Sequence, residues 1–406
     1  MSKYKLIWAA LLCAAVMPLV AQTPYSQYGY GTLDDNATGN QRAMGGTGIG
    51  MRNNTYINMM NPASYTAMDS LTFMFDFSAD YKASWYNENG ASDTGQSGGI
   101  NYVAMQFRLG KKVAAAIGLT PLSHVQYTYG SNITNGSYTR AGEGGMSQVF
   151  LGVAVQPFKW MSVGVNAGYV FGKIDNITHV VTKPSTGSYI NSMTLSDLRV
   201  QFGLQFPVAI NDKNDLNVGV TYTLGKPTWG EVLTYNTFND TIIEPMGDNY
   251  SMPHAFGAGI SYTYNQSITA AVDARYELWE DAKFYRPNLD DYMRMNNRWR
   301  VSAGLEYRPK LVSSSYLDYI RYRIGGFYEQ SYITVRDDAG NYNSVREFGV
   351  SCGLGFPLRG NKSMFNFTLE YSHRNGHPNP LLSEDHLAIV LSMTFNEMWF
   401  WQRKFE

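Results

Sequence analysis

The 406 residues carry a formal net charge of −1, with 32 Lys and Arg against 33 Asp and Glu. That balance, with no basic run along a face or loop, argues against a nucleic-acid partner. No stretch beyond the N-terminus approaches the roughly eighteen consecutive apolar residues of a membrane-spanning helix, and the 30 Tyr, 20 Phe, 8 Trp and 39 Gly suit strands far better.

The segment from Met1 to Ala21 opens with Lys3 and Lys5, continues through the apolar run LIWAALLCAAVMPLV and ends on small Ala21 before polar QTPYSQ. It reads as a secretory signal peptide over 1–21, cut near Ala21. Cys13 follows Leu12 inside the apolar core, where a lipoprotein box requires a small residue directly before the cysteine, so lipidation is not expected. Once this segment is removed only Cys352 remains, and no intrachain disulfide can form.

Residues 22–68 do not alternate. They contain Arg42-Ala-Met-Gly45-Gly46-Thr-Gly48 and then Asn61-Pro62-Ala63. Glycines allow tight packing and positive φ, and Pro62 biases Asn61 away from helix, so a compact irregular segment is expected.

From Leu71 onward the chain repeats one pattern, roughly ten residues alternating apolar with small or polar side chains and then a turn, as in a transmembrane barrel. Strands are expected at 71–85, 98–109, 112–127, 146–156, 160–182, 194–207, 215–225, 252–264, 267–278, 297–308, 319–331, 345–357, 364–373 and 385–396. The connections alternate between short ones, such as Gly110-Lys111 and Asn265-Gln266, and longer polar ones at 86–97, 128–145, 183–193, 226–251, 279–296, 332–344 and 374–384. Short periplasmic turns facing long external loops are expected of an outer-membrane barrel with an even strand number. A pair of β-sandwich domains would also give short alternating strands, but it does not account for that alternation of connections or for outward aromatics. The fold class read here is therefore all-β, a transmembrane antiparallel β-barrel of about 14 strands over 69–396, in the outer membrane of a Gram-negative bacterium and in contact with its lipids.

Alternation also assigns faces. In the ninth strand Ile268, Ala270, Val272, Ala274 and Tyr276 face lipid, leaving Asp273, Arg275 and Glu277 for the lumen. The tenth turns Arg298, Arg300 and Glu306 inward, the eleventh Arg321, Arg323 and Glu329, and the first, twelfth and thirteenth add Asp76, Asp80, Glu347 and Glu370. Inward charge is required by energetics, since Arg or Lys facing lipid at the midplane costs about 2–4 kcal/mol. Two readings of this wall stay open: a cross-strand ladder of opposite charges that holds the wall and contacts a plug, or a selectivity lining for a solute. Cys352 falls on the outward face with Phe348, Val350, Leu354 and Phe356, as an inert small apolar residue.

The glycine-rich stretch, the Asn-Pro-Ala and the barrel together resemble the long-chain fatty acid transporter family of outer membranes, the FadL type. That resemblance implies a hatch, an N-terminal plug over 22–68 that holds Gly45, Gly46, Asn61, Pro62 and Ala63 within the barrel. It also implies a disrupted third strand that opens the wall. The third strand here contains Gly118, Thr120 and Pro121, and proline cannot donate to a ladder. A lateral opening at these residues is one reading, and a simple bend where the strand leaves the bilayer is the other. The chain departs from the family by continuing past Phe395 into NEMWFWQRKFE, whose Trp399, Phe400 and Trp401 beside Arg403 and Lys404 suggest an interfacial tail over 397–406, or a docking segment for a partner.

Enzymatic chemistry is not expected. Gly95-Gln-Ser97-Gly-Gly99 matches a nucleophile-elbow pattern without the strand-to-helix turn that the elbow needs, so Ser97 reads as a turn residue. His373, His377, Glu384, Asp385 and His386 gather without a zinc-like spacing, and neither a catalytic residue, a metal nor a cofactor is assigned. The leading reading of function is passive uptake of hydrophobic or amphipathic solutes, fatty acids among them, through a plugged lumen with lateral release to the membrane. The alternative is a non-transporting barrel serving as scaffold or subunit of an outer-membrane secretion, assembly or surface complex, with protein partners at the external loops or the tail. A barrel-embedded hydrolase ranks third for want of a nucleophile and base.

Overall fold

The computed structural model describes residues 23–398 except 134, 183–185, 238, 286–291, 311–312, 314, 338 and 359–362. The expected signal peptide and residues 399–406 of the expected tail lie outside the described residues.

Fourteen strands close into one antiparallel barrel. They are β1 (Thr72–Glu88), β2 (Ala91–Arg108), β3 (Val113–Ile133), β4 (Gly136–Phe158), β5 (Met161–Thr182), β6 (Thr186–Asn211), β7 (Asn214–Thr223), β8 (Ala255–Tyr264), β9 (Ile268–Glu277), β10 (Arg298–Tyr307), β11 (Arg321–Arg336), β12 (Tyr342–Pro357), β13 (Met364–His377) and β14 (Ser383–Met398). Each pairs with its sequence neighbour, and β1 closes on β14 from Thr72↔Met398 to Asn87↔Ser383. Closure removes the exposed edges that an open sheet would present inside lipid.

Period-two alternation decides which side chains meet the membrane. Along β5, Ala167, Tyr169 and Phe171 are exposed while Gly168 and Val170 between them are not. Two aromatic girdles bound the apolar band. The lower includes the stacked Phe158 and Trp160 at 5.4 Å and Phe73 with Phe107 at 5.2 Å. The upper includes Tyr222 with Phe256 at 5.2 Å and Trp299 with Tyr328 at 5.3 Å.

The outer connections differ from expectation. Where loops were expected at 86–97, 128–145 and 183–193, pairing continues to Glu88↔Ala91, Ile133↔Gly136 and Val181↔Thr186. Above the bilayer both faces of a hairpin are wet, so the apolar period vanishes from the sequence while the backbone ladder continues in the register set below. Asn89 and Gly90 close the first hairpin with φ of 50° and 84°, the left-handed pair that a two-residue turn needs.

The rim is uneven. β3 to β6 run 21 to 26 residues, whereas β7 to β10 have 10 each. The tall wall gains a further hairpin, Gly230–Asn236 with Asn239–Pro245, whose first strand pairs with the outer part of β6 from Gly230↔Leu195 to Asn236↔Tyr189.

Candidate functional site in the barrel lumen

The segment before β1 is mostly buried among the inward faces of the strands, and its irregular backbone finds partners there as buried polar groups must. Asn61 starts a 3-10 turn over Pro62–Ala67; its Oδ1 accepts from Ala63 N at 3.1 Å. Its Nδ2 donates to Ile49 O at 2.9 Å and to Leu204 O of β6 at 3.1 Å. Ser162 of β5 donates to Ala63 O at 2.7 Å. Asp273 of β9 accepts the backbone N–H groups of Gly48 at 2.5 Å, Ile49 at 2.7 Å and Gly50 at 3.3 Å, so an inward carboxylate caps a turn of the segment.

Wall and segment approach at backbone distance. A Cβ on Gly164, Gly219 or Gly325 would overlap the backbone at Pro62, Ile49 or Met44-Gly45 respectively. Gly45 itself has φ of 71°, donates to Ser351 Oγ at 3.0 Å and lies against the backbone of Gly326. Gly46 follows with φ of 85°. Glycine here serves close approach on the wall and left-handed turning in the segment.

Inward charges gather into four clusters. In the first, Asp35 of the segment meets Arg275 at 2.9 Å, Arg298 at 2.8 Å and Arg300 at 2.6 Å, while Arg298 also meets Glu277 at 2.9 Å and Glu329 at 2.8 Å. Burial alone would raise the Asp35 carboxyl, but Arg300, Arg298 and Arg275 overcome it and hold it well below the usual carboxylate range. In the second, Arg42 of the segment joins Asp80 of β1 at 3.3 Å to Glu370 of β13 at 3.1 Å. In the third, Arg374 joins Glu347 at 2.6 Å to Glu384 at 3.4 Å. Lower down, Glu306 accepts from Arg321 at 3.2 Å and Arg323 at 2.6 Å. Asp76 instead accepts from Tyr102 and Thr394 hydroxyls, each at 3.0 Å. Sequence reasoning missed Asp35, Arg42, Arg374 and Glu384: two lie in a segment without periodicity, and two were assigned to an outer loop that is strand.

Among these clusters a cavity of about 770 Å³ is lined by charges of both signs, including Asp35, Arg42, Lys82, Glu143, Asp175, Arg300 and Arg374, and by apolar side chains such as Leu33, Val125, Phe327, Ile333 and Val345. It also reaches Gly98, Gly99 and Ile100 of β2, and Ile100 is 68% exposed on the barrel exterior. The reason lies in β3. Gly118 pairs on both sides, with Ala104 and Phe150, but the β2–β3 ladder stops at Val103↔Leu119. Beyond it Thr120 and Pro121 pair only with Gln148 and Ser147 of β4, and a register shift follows before Ser123. The vacated edge of β3 is taken instead by Thr32–Leu33 of the segment, through Thr32↔His124 and Leu33↔Ser123. A seam thus separates the outer halves of β2 and β3.

Ser97, read as a turn residue, lies within β2 opposite Lys82. His373 and His386 belong to β13 and β14, bonded to Asp385 at 2.9 Å and to Ser84 at 2.8 Å respectively. Among the described residues no group of three or more His, Cys, Asp or Glu is placed to hold a metal.

The BamG family model matches residues 1–406. The chain belongs to the BamG family. No curated protein matches this BamG-family sequence. Among solved structures it is similar to the Pseudomonas putida toluene transporter TodX, with TM-score 0.62 and 14% identity over 91% of this chain and 100% of that one. The Ralstonia pickettii toluene transporter TbuX gives TM-score 0.60 and 15% identity over 89% and 98%. The CymD monoaromatic hydrocarbon channel gives 0.59 and 15% over 88% and 97%. At such identities the likeness is one of fold, which the BamG-family chain shares as a closed antiparallel barrel of fourteen strands.

Proposed function

We propose that this chain is a plugged, non-transporting outer-membrane barrel that serves as scaffold or subunit of a secretion, assembly or surface complex, reaching the membrane after export by its N-terminal signal. The observation that carries the reading is the lumen. Arginine and carboxylate groups tie the segment 23–68 to β1, β9, β10 and β13, and the cavity beside them carries charges of both signs among its apolar side chains. A hydrophobic solute gains about 25 cal/mol per Å² only by burying apolar surface against apolar surface. In this cavity such burial would also strip water from ion pairs, which is unfavourable. The hatch, with Gly45, Gly46, Asn61, Pro62 and Ala63, acts as a fixed stopper in this account, and the lumen ion pairs act as its fastening. The test is planar-bilayer conductance and labelled toluene or fatty acid uptake into proteoliposomes. The reading expects neither to exceed the lipid background, and sustained uptake overturns it.

A second reading, passive uptake of an amphipathic or hydrophobic solute with lateral release, is favoured by the seam beside Thr120 and Pro121, where the charged cavity reaches Ile100 near the upper girdle. The neighbours TodX and TbuX are named for transport of toluene, which gives that reading its solute class. Replacing Ile100 with Trp tests this second reading, since uptake through the seam would then fall severalfold.

A further inference from the structure

We propose that the seam between β2 and β3 is a strand acceptor, which takes up an extended polypeptide segment of a partner protein. The inference deepens the scaffold reading and rests on it, by saying where a partner is held. Among the described residues no strand pairs with the β3-facing edge of β2 over Ala91–Ile100, or with the β2-facing edge of β3 over Thr128–Ile133. Two rows of backbone donors and acceptors therefore face one gap. An unpaired strand edge is a template for another strand, and natural proteins cover or blunt it unless it is used.

The occupant's chemistry follows from what already sits in the gap. Thr32–Leu33 of this chain adds antiparallel to β3 at Ser123–His124, Asp34 N donates to Leu122 O at 2.9 Å, and Thr23 N donates to Gln126 O at 3.1 Å. The chain's own extended segment thus shows that this edge accepts backbone, and the covering stops where β3 rises above Tyr127. A partner strand of about six residues would continue that pairing toward the hairpin tips. Its side chains would lie among Ala91–Gln96 of β2 and Thr128–Ile133 of β3, above the cavity, whose lining reaches only Ser97–Tyr102 and Thr120–Gln126 of these strands. The matching segment is polar and β-prone, to suit Ser92, Asp93, Thr94, Thr128, Ser131 and Asn132 on the two edges.

The test uses the full chain in mild detergent with a seven-residue peptide of alternating valine and threonine as probe, and the same peptide N-methylated at every second residue as control. Hydrogen exchange is followed by residue. Protection of Ala91–Ile100 and Thr128–Ile133 by at least tenfold, lost with the methylated peptide, is the expected result. No protection there, or protection confined to the other exposed edge strand at Asn239–Pro245, overturns the proposal. A photo-crosslinking residue in place of Thr94 or Ser131 gives a second readout in cells. Adducts with a polypeptide at both positions support the proposal, and adducts with lipid alone overturn it. If the chain retains stoichiometric partners while both seam readouts fail, the strand-acceptor proposal is overturned and the scaffold stands. If the peptide protects the seam but no partner is retained, the scaffold reading is what falls.

Discussion

Asp273 carries the most concentrated interaction between segment and wall, because one carboxylate there accepts three successive backbone N–H groups. Charge-assisted bonds of this kind are each worth about 1.5–3 kcal/mol, so Asp273→Ala is expected to lower stability by about 3 kcal/mol once water replaces part of the loss. Chemical denaturation in detergent micelles measures it. Asp35 adds a pH dependence. Its folded-state pKa is depressed below the ordinary value by three guanidinium groups that outweigh its burial. Its contribution is therefore complete above the unfolded-state value of about 4 and is lost as pH falls below it toward the depressed value. Titrating stability of Asp35→Asn against the natural chain is expected to give a constant difference near neutrality that shrinks only in acid. At this scale the inward charges of β9 to β11 were legible in the sequence, because alternation in a strand fixes the face of every side chain. Asp35 and Arg42 were not, because nothing periodic orients the segment in which they lie.

Elements explain why the segment and wall fit. Gly325 leaves no room for a side chain beside Met44 and Gly45, so Gly325→Val is expected to displace that turn and lower the melting temperature by several degrees, read by heat-modified gel mobility. If the segment is the stopper, a chain lacking Thr23–Met68 conducts ions in a planar bilayer and the full chain does not. Pro121 left two readings of β3 open in the sequence, a lateral opening or a simple bend, since proline cannot serve a ladder on both sides. The length of the interruption was not legible. It depends on Thr32–Leu33 taking the place of β2, a long-range pairing that no local pattern announces. The outer hairpins were hidden for a related reason, because strands wet on both faces lose the apolar period by which strands are recognised.

The whole molecule combines an ordinary lipid-facing exterior with an interior that is unusually ionic. Val272 lies in the apolar band and is 54% exposed, so Val272→Arg is expected to cost about 2–4 kcal/mol of stability in a bilayer, measured by unfolding in liposomes. The barrel was legible in the alternation and connection lengths that gave a count of about fourteen strands. The character of the lumen was only half legible, because the charges could be read while their convergence on Asp35, Arg42 and Arg374 required the closed barrel. That convergence is the ground on which the proposed scaffold reading rests. Native mass spectrometry of the full chain extracted in mild detergent tests that reading most directly. The account predicts a complex of defined stoichiometry with other outer-membrane proteins and no bound apolar small molecule, and a monomer carrying one hydrophobic molecule per chain would contradict it.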